Sequence, residues 1–273
     1  MTEPFLLHHL DGVLRLDLPD ELEHYRRYQT SLPGETPADW RLEFAVGPRE
    51  DVEEADLGEL TYPVIDGVRR IRGRAFDLDP TSEGARVLLR MYHAAGISWV
   101  LRPWTAMLLL PPRGLLFHAA GLVSPEGRGY LCPGVSGAGK STLSRNLLGQ
   151  GWRVLSDELP AVRRDDDGWR LLYTPFCGDL GSVETDTFTA PLHGVLALEK
   201  GPATLGDQLD FGAAAAALLP TVAVYGNQPW FAQLVLDILA ELTAEVGVRR
   251  LRVPAELTPG TVEGLLATVD DKG

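Results

Sequence analysis

Cysteine, lysine, basic charge and long apolar runs are all scarce in this chain, and each scarcity closes off a class of function. Two cysteines in 273 residues, Cys132 and Cys177, supply neither a disulfide framework nor a metal-ligand cluster. No run of about 18 apolar residues occurs and no secretory leader pattern opens the chain, so a cytoplasmic protein without a membrane span is expected. Lysine and arginine number 25 against 38 acidic residues, a net charge of −13 and a pI near 4.9. A nucleic-acid-binding surface, which needs a basic face, is therefore not expected. Internal repeats are absent, and the one low-complexity tract, 213–217, reads as ordinary helix. What is present suits a globular protein. A 45% hydrophobic content can fill a core, and the length allows one large domain or one domain plus a smaller one. The 29 glycines and 20 prolines point to many turns, hence to strands rather than a helical bundle.

The most specific feature lies at 134–142, Gly-Val-Ser-Gly-Ala-Gly-Lys-Ser-Thr. It is a full match to the phosphate-binding loop G-x-x-x-x-G-K-[ST]. Gly134, Gly137 and Gly139 let the backbone curl and aim its N–H groups, with those of Ser136 and Ala138, at phosphate oxygens. Lys140 reaches the β/γ-phosphates and Ser141 offers its hydroxyl to Mg²⁺, with Thr142 beside it. An apolar run, Gly129 to Cys132, enters the loop. Leucines at 143, 147 and 148 leave it with helical spacing, adding a helix N-terminus to the anion site. Lysine is otherwise rare: Lys140, Lys200 and Lys272 stand against 22 arginines. A Gly-rich turn between strand and helix is the bland alternative. A nucleoside triphosphate such as ATP, with Mg²⁺, is the expected ligand.

Around this loop the pattern is mostly β. Val13–Leu18 and Trp40–Val46 alternate apolar and polar residues, the period of half-buried strands. Asp66-Gly67 reads as a hairpin turn, residues 49–59 as an acidic surface loop, and Ser82–Ala95 as a helix through Val87, Leu88, Met91 and Tyr92. Trp104–Leu110 is an apolar strand or short helix, Leu115–Val123 a buried strand, and Pro125–Gly129 a turn. Strands are expected at Trp152–Ser156 and Leu192–Glu199, and a hairpin at Asp165–Gly168. Helices follow over 207–219 and 229–246, then a β–α piece at Arg249–Val253 and Thr261–Val269. No polar linker separates residues 75 and 115. An antiparallel β layer over 1–104 packed on a core over 105–273 is therefore expected.

A phosphate loop needs a carboxylate for its magnesium or water, and Asp157-Glu158 follows an apolar strand only 17 residues past Lys140. A strand end turning into solvent would look similar. With the loop alongside, Asp157 and Glu158 read as the carboxylates that hold Mg²⁺ together with Ser141 or order its water.

Together, Leu116–Val123, the 134–142 loop and Val154-Leu-Ser-Asp-Glu-Leu resemble the catalytic domain of HPr kinase/phosphorylase and its short bacterial relatives. That resemblance implies a mixed α/β (α+β) fold with a P-loop core of the HPr kinase/phosphoenolpyruvate carboxykinase type and a β-rich N-terminal region. It gives His118 a catalytic role orienting the γ-phosphate or the acceptor, Asp157 that of the base that takes the acceptor proton, and Glu158, with Asp157 and Ser141, that of metal ligand. HPr kinases proper carry two aspartates there, so Glu158 is a departure. Tyr173-Thr-Pro-Phe-Cys-Gly-Asp-Leu-Gly is similar to a stretch of the short relatives, some of which are encoded with modified-peptide pathways. The Gly-rich Leu-Glu-x-Arg-Gly stretch of true HPr kinases is absent, which argues against the phosphocarrier HPr as substrate.

The implied activity is an ATP-dependent kinase that phosphorylates a hydroxyl, foremost a serine, of a peptide, protein or small molecule. The alternatives are a non-catalytic nucleotide-binding regulator or scaffold of a peptide-biosynthetic cluster, and a carboxykinase-like enzyme, for which the chain is short. The residues leave the oligomeric state open. Among the remaining candidates, Thr174 and Asp179 border the expected acceptor side. A lone His in an apolar strand is commonly a satisfied core residue, so without the resemblance His118 would read that way. Cys177 lacks a nearby base, and Arg153 and the arginines at 69, 70, 72 and 74 read first as exposed strand charges. His8-His9 reads as solvated chain.

Overall fold

The computed structural model describes residues 113–254 except 182, 184 and 226–228, with positions 256, 260, 261 and 264 beyond them. Towards the N-terminus it describes the backbone of the strands, Leu10 and one helix, with the side chains of 10, 14–16 and 101–109. Two compact units emerge: 1–108 with 224–228, and 109–223 with 229–273.

The first unit carries β1 (Phe5–His9), β2 (Gly12–Asp17), β3 (Trp40–Val46), β4 (Val64–Ile65), β5 (Val68–Arg69), β6 (Ile71–Arg72), β7 (Phe76–Pro80), β8 (Arg86–Met91) and α1 (Ile97–Leu109). Its main sheet runs β1-β2-β3-β8-β7-β6. The hairpin at 66–67 is present, with Ile65 opposite Val68. Three expectations are corrected. His8-His9 closes strand β1, paired with β2, rather than loose chain. The layer is mixed, not antiparallel, because β3 pairs in parallel with both β2 and β8. The stretches 18–39 and 47–85 are long enough for the crossovers that parallel pairing needs. Residues 86–91 form a strand where a helix over 82–95 is expected. Flanked by β3 and β7, β8 is an interior strand, and the short apolar run Val87-Leu88-Leu89 fits an interior strand as well as a helix turn. The acidic stretch 49–59 lies outside the described residues. Of the two readings of Trp104–Leu110, the helix holds, with Leu101, Trp104 and Leu109 buried.

The second unit is built on one curled, mixed sheet. Its strands are β9 (Gly114–Leu116), β10 (Ala119–Val123), β11 (Gly129–Pro133), β12 (Arg153–Ser156), β13 (Ala161–Asp165), β14 (Gly168–Leu172), β15 (Thr189–Lys200), β16 (Thr204–Gln208) and β17 (Val248–Val253). Its helices are α2 (Lys140–Leu148), α3 (Phe211–Leu218) and α4 (Pro229–Glu245). The long β15 joins two lobes. Its first residues pair with the β13–β14 hairpin, its middle pairs in parallel with β11, and its end pairs in parallel with β17. Through β15 the order β12-β10-β11-β15 continues to β17 and β16.

Side chains alternate across this sheet, the strand period of two. Tyr130 and Cys132 of β11, Leu122 of β10 and Leu196 and Leu198 of β15 share a core with Leu143 and Leu147 of α2. Leu131, Val123, Val195 and Ala197 point the other way, into a core with Ile238, Leu239 and Leu242 of α4. With both faces covered, the central strands read as near-continuous apolar runs.

Two boundaries differ from expectation. The strand expected over 115–123 breaks at Phe117–His118, where the chain passes from one lobe to the other. Leu116 still pairs with β13, whereas Ala119 pairs with β11. The helix expected over 207–219 begins only at Phe211. Asp210 caps it by accepting the Ala213 N–H at 2.8 Å, and 204–208 is the strand β16. β17 occupies the expected place, while most of 261–269 lies outside the described residues. Among the described residues no helix is long and apolar enough to cross a membrane.

Candidate functional site

The strand directions bring several ends to one edge of the sheet. β11, β15 and β17 run parallel, so Pro133, Lys200 and Val253 end there. β10 is antiparallel to β11 and β12 antiparallel to β10, so His118 precedes, and Asp157 follows, a strand at the same edge. A cavity of about 620 Å³ opens at this edge, within the range of small-molecule sites. It is lined by the whole 134–142 loop and by His118, Asp157 and Glu158. Gly178, Asp179, Lys200, Pro220, Val253 and Pro254 complete it.

The loop owes its shape to local sequence. Gly137 and Gly139 sit at φ 77° and 103°, the left-handed region that L side chains rarely adopt. Gly134 is pressed so closely that a Cβ there would lie 2.8 Å from Ala138 Cβ and 3.1 Å from Leu198 Cβ. Its N–H donates to the His118 carbonyl at 3.2 Å, and the His118 N–H donates to Thr221 O at 2.6 Å. His118 thus ties the loop to its neighbours through its backbone while its side chain is exposed at the cavity. This is not the buried core histidine that a lone His in an apolar run suggests. α2 starts at Lys140 with Gly139 as its cap, and no acidic side chain occupies its first turn. The helix therefore presents an uncompensated positive end to the cavity. Lys140 Nζ donates to the carbonyls of Gly134 (2.8 Å) and Val135 (3.2 Å). Burial lowers its pKa, and the charges of Asp157, Asp179 and Glu158 oppose that shift. Three carboxylates therefore line the same cavity as the one lysine of the loop.

The acidic side is assembled differently. Ser156, at the end of β12, donates from Oγ to Phe176 O at 2.6 Å and accepts the N–H groups of Glu158 (3.2 Å) and Leu159 (3.0 Å). Asp157 is 3% exposed, and its two carboxylate oxygens accept the amides of Gly178 (2.7 Å) and Leu180 (2.9 Å). Thr174 Oγ1 donates to Leu159 O at 2.6 Å. These bonds hang 174–180 on the turn after β12 and set Asp179, exposed, at the cavity.

The remaining candidates separate clearly. Thr174 is buried and its hydroxyl is committed inward, so it does not line the cavity. Cys177 is half-buried and not among the lining residues. Cys132 is buried in the α2 core, where desolvation pushes its thiol up to about 12. Arg153 pairs with Asp186 at 2.9 Å, away from the cavity. The side chains of Arg69, Arg70, Arg72 and Arg74 lie outside the described residues. Sequence patterns did not single out Ser156, Lys200, Pro220, Val253 or Pro254. For Lys200 the rarity of lysine was a usable signal, since two of the three lysines line one cavity.

Comparison with known proteins returns little. No protein-family model matches the chain, and no curated protein matches it. Among solved structures it is similar to that of the Hpr(Ser) kinase/phosphatase from Coxiella burnetii. The identity is 15% and the TM-score 0.34, covering 57% of this chain and 97% of that one.

Proposed function

We propose that this cavity binds a nucleoside triphosphate with Mg²⁺ and passes the γ-phosphoryl group to a hydroxyl of a peptide, protein or small molecule, foremost a serine. The observation that carries the reading is the meeting of two chemistries in one cavity. A glycine loop with a lysine at a helix N-terminus lies beside three carboxylates that all act on that lysine. The first suits the polyphosphate, since amides and an ammonium supply fixed positive charge. The second suits what phosphoryl transfer further needs, a proton acceptor and hard oxygen ligands.

The donor set fits magnesium. Ser141, Asp157 and Glu158 are oxygen donors at the cavity, and the described residues contain no cluster of three or more His, Cys, Asp and Glu side chains built to hold a metal alone. Magnesium ordinarily takes one or two carboxylates, with phosphate oxygens and waters as its other ligands. When bound, it would neutralise charge on the phosphoryl oxygens. Asp157 uses two of its roughly four lone-pair sites on backbone amides. It therefore keeps capacity to accept the acceptor's hydroxyl proton while remaining fixed in place. Lys140 holds the β/γ-phosphates, and His118 orients the γ-phosphate or the acceptor. The loop glycines with Ser136, Ala138 and Thr142 complete the cradle.

Incubation of the chain with γ-labelled ATP, Mg²⁺ and a panel of serine-containing peptides and small hydroxyl compounds tests the reading. Transfer of label to an acceptor hydroxyl, lost on removal of magnesium, is expected. Tight nucleotide binding without transfer to any acceptor would favour the scaffold alternative.

A further inference from the structure

Resting on the nucleotide-binding reading above, the order of the strands also fixes which way round the ligand lies. The edge ends run β12, β10, β11, β15, β17. The loop leaves the middle strand of the five. On one flank stand Asp157 and Glu158 after β12 and His118 before β10. On the other stand Lys200 at the end of β15 and Val253-Pro254 at the end of β17. At about 4.8 Å per strand the two flanks are roughly 19 Å apart. The flanks differ in chemistry as well as position. The first holds groups able to take a proton. The second offers the half-buried Pro254, which follows the core residue Val253 at the end of β17, and an exposed lysine.

Among the described residues the Lys200 side chain makes no hydrogen bond and no ion pair, whereas Arg250 and Arg252 on the neighbouring strand are taken by Glu199 at 3.1 and 3.2 Å. Among the described residues, Lys200 and Lys140 are the lysine or arginine side chains that line the cavity. In a chain with three lysines and a net charge of −13, Lys200 sets a second ammonium at the cavity lined by the 134–142 loop.

We infer that a bound nucleoside triphosphate lies across these strand ends with its γ-phosphate on the His118–Asp157–Glu158 flank and its nucleoside at the β17 end, against Pro254. Lys200 is then the cation for the phosphate nearest the nucleoside. The reacting phosphate has to meet the proton acceptor, which fixes one end. Pro254 and the Lys200 ammonium fix the other, and Lys200 is a binding residue remote from the transferred group.

The test is a comparison of ATP and ADP, both of which keep the phosphate nearest the nucleoside. Calorimetric titration of the unaltered chain, Lys200→Met and Lys200→Arg with each nucleotide in Mg²⁺ reads the orientation. Lys200→Met is expected to weaken ATP and ADP alike, each by about tenfold. Lys200→Arg should restore most of the loss. The lysine is exposed, so the unfolding midpoint should not move. A loss confined to ATP would place Lys200 at the γ-phosphate and overturn the orientation, as would unchanged affinity for both nucleotides. An unaltered chain that binds neither nucleotide would overturn the nucleotide reading and this inference with it.

Discussion

The Gly134–Thr142 loop and the Thr174–Leu180 segment border the same cavity and are held there by opposite means. The loop holds itself: its glycines adopt the conformations it needs, and Lys140 folds back onto the carbonyls of Gly134 and Val135. The segment is hung from elsewhere in the chain. Ser156, Asp157 and the Leu159 carbonyl, some twenty residues upstream, supply its anchors. Outside the loop, its shape rests on the His118 carbonyl that accepts the Gly134 N–H and on packing against Leu198, whereas the suspended segment draws its anchors from the turn after β12. On the proposed reading, the difference would also sort function: the loop would serve the polyphosphate, and the suspended segment, which presents Asp179, the acceptor side.

Asp157→Asn is the sharpest way to break the contrast. The amide keeps one acceptor oxygen but turns an NH₂ toward a backbone N–H, so one anchor of the segment is lost together with the proton acceptor. Turnover should fall by about 10²–10⁴ while nucleotide affinity stays within a few-fold. Steady-state rates beside calorimetry check this, and normal turnover would remove Asp157 from the chemistry. Glu158→Gln should instead raise the magnesium concentration needed for half-maximal rate, by several-fold.

Gly134→Ala attacks the self-held side. Its Cβ would meet Ala138 Cβ at 2.8 Å and Leu198 Cβ at 3.1 Å. Overpacking of that kind costs about 1–3 kcal/mol, readable as a lower denaturant midpoint and accompanied by weaker ATP binding. If ATP affinity were unchanged, the close packing of the loop on β15 would not be what shapes the site. Thr174→Val is the mildest test. It deletes the hydroxyl that donates to Leu159 O and should cost about 1 kcal/mol, with turnover reduced more than nucleotide affinity. Equal effects on both would mean that the segment serves the nucleotide side as well.

The same contrast explains what could be read from the residues alone. The loop, β11 and α2 were legible because their determinants are contiguous: three glycines, a lysine and leucines at helical spacing. The β13–β14 hairpin was legible through Asp165–Gly168 for the same reason. The anchoring of 174–180 was not, because a hydrogen bond from Gly178 N to Asp157 leaves no periodic trace in either segment. Thr174 was therefore placed at the acceptor side, when its hydroxyl is buried against Leu159. β8 was misread because interior strands lose the alternation that distinguishes them. Lys200 becomes part of the site only through the parallel pairing of β15 with β11 and β17, a long-range fact.

The central claim is that the loop's lysine and backbone form a nucleoside triphosphate site, and titration of ATP into the unaltered chain and Lys140→Ala, with and without Mg²⁺, tests it most directly. Magnesium-dependent binding is predicted for the unaltered chain, and an affinity at least about tenfold lower for Lys140→Ala with the fold retained. Equal affinities, or no binding by either protein, would contradict the account.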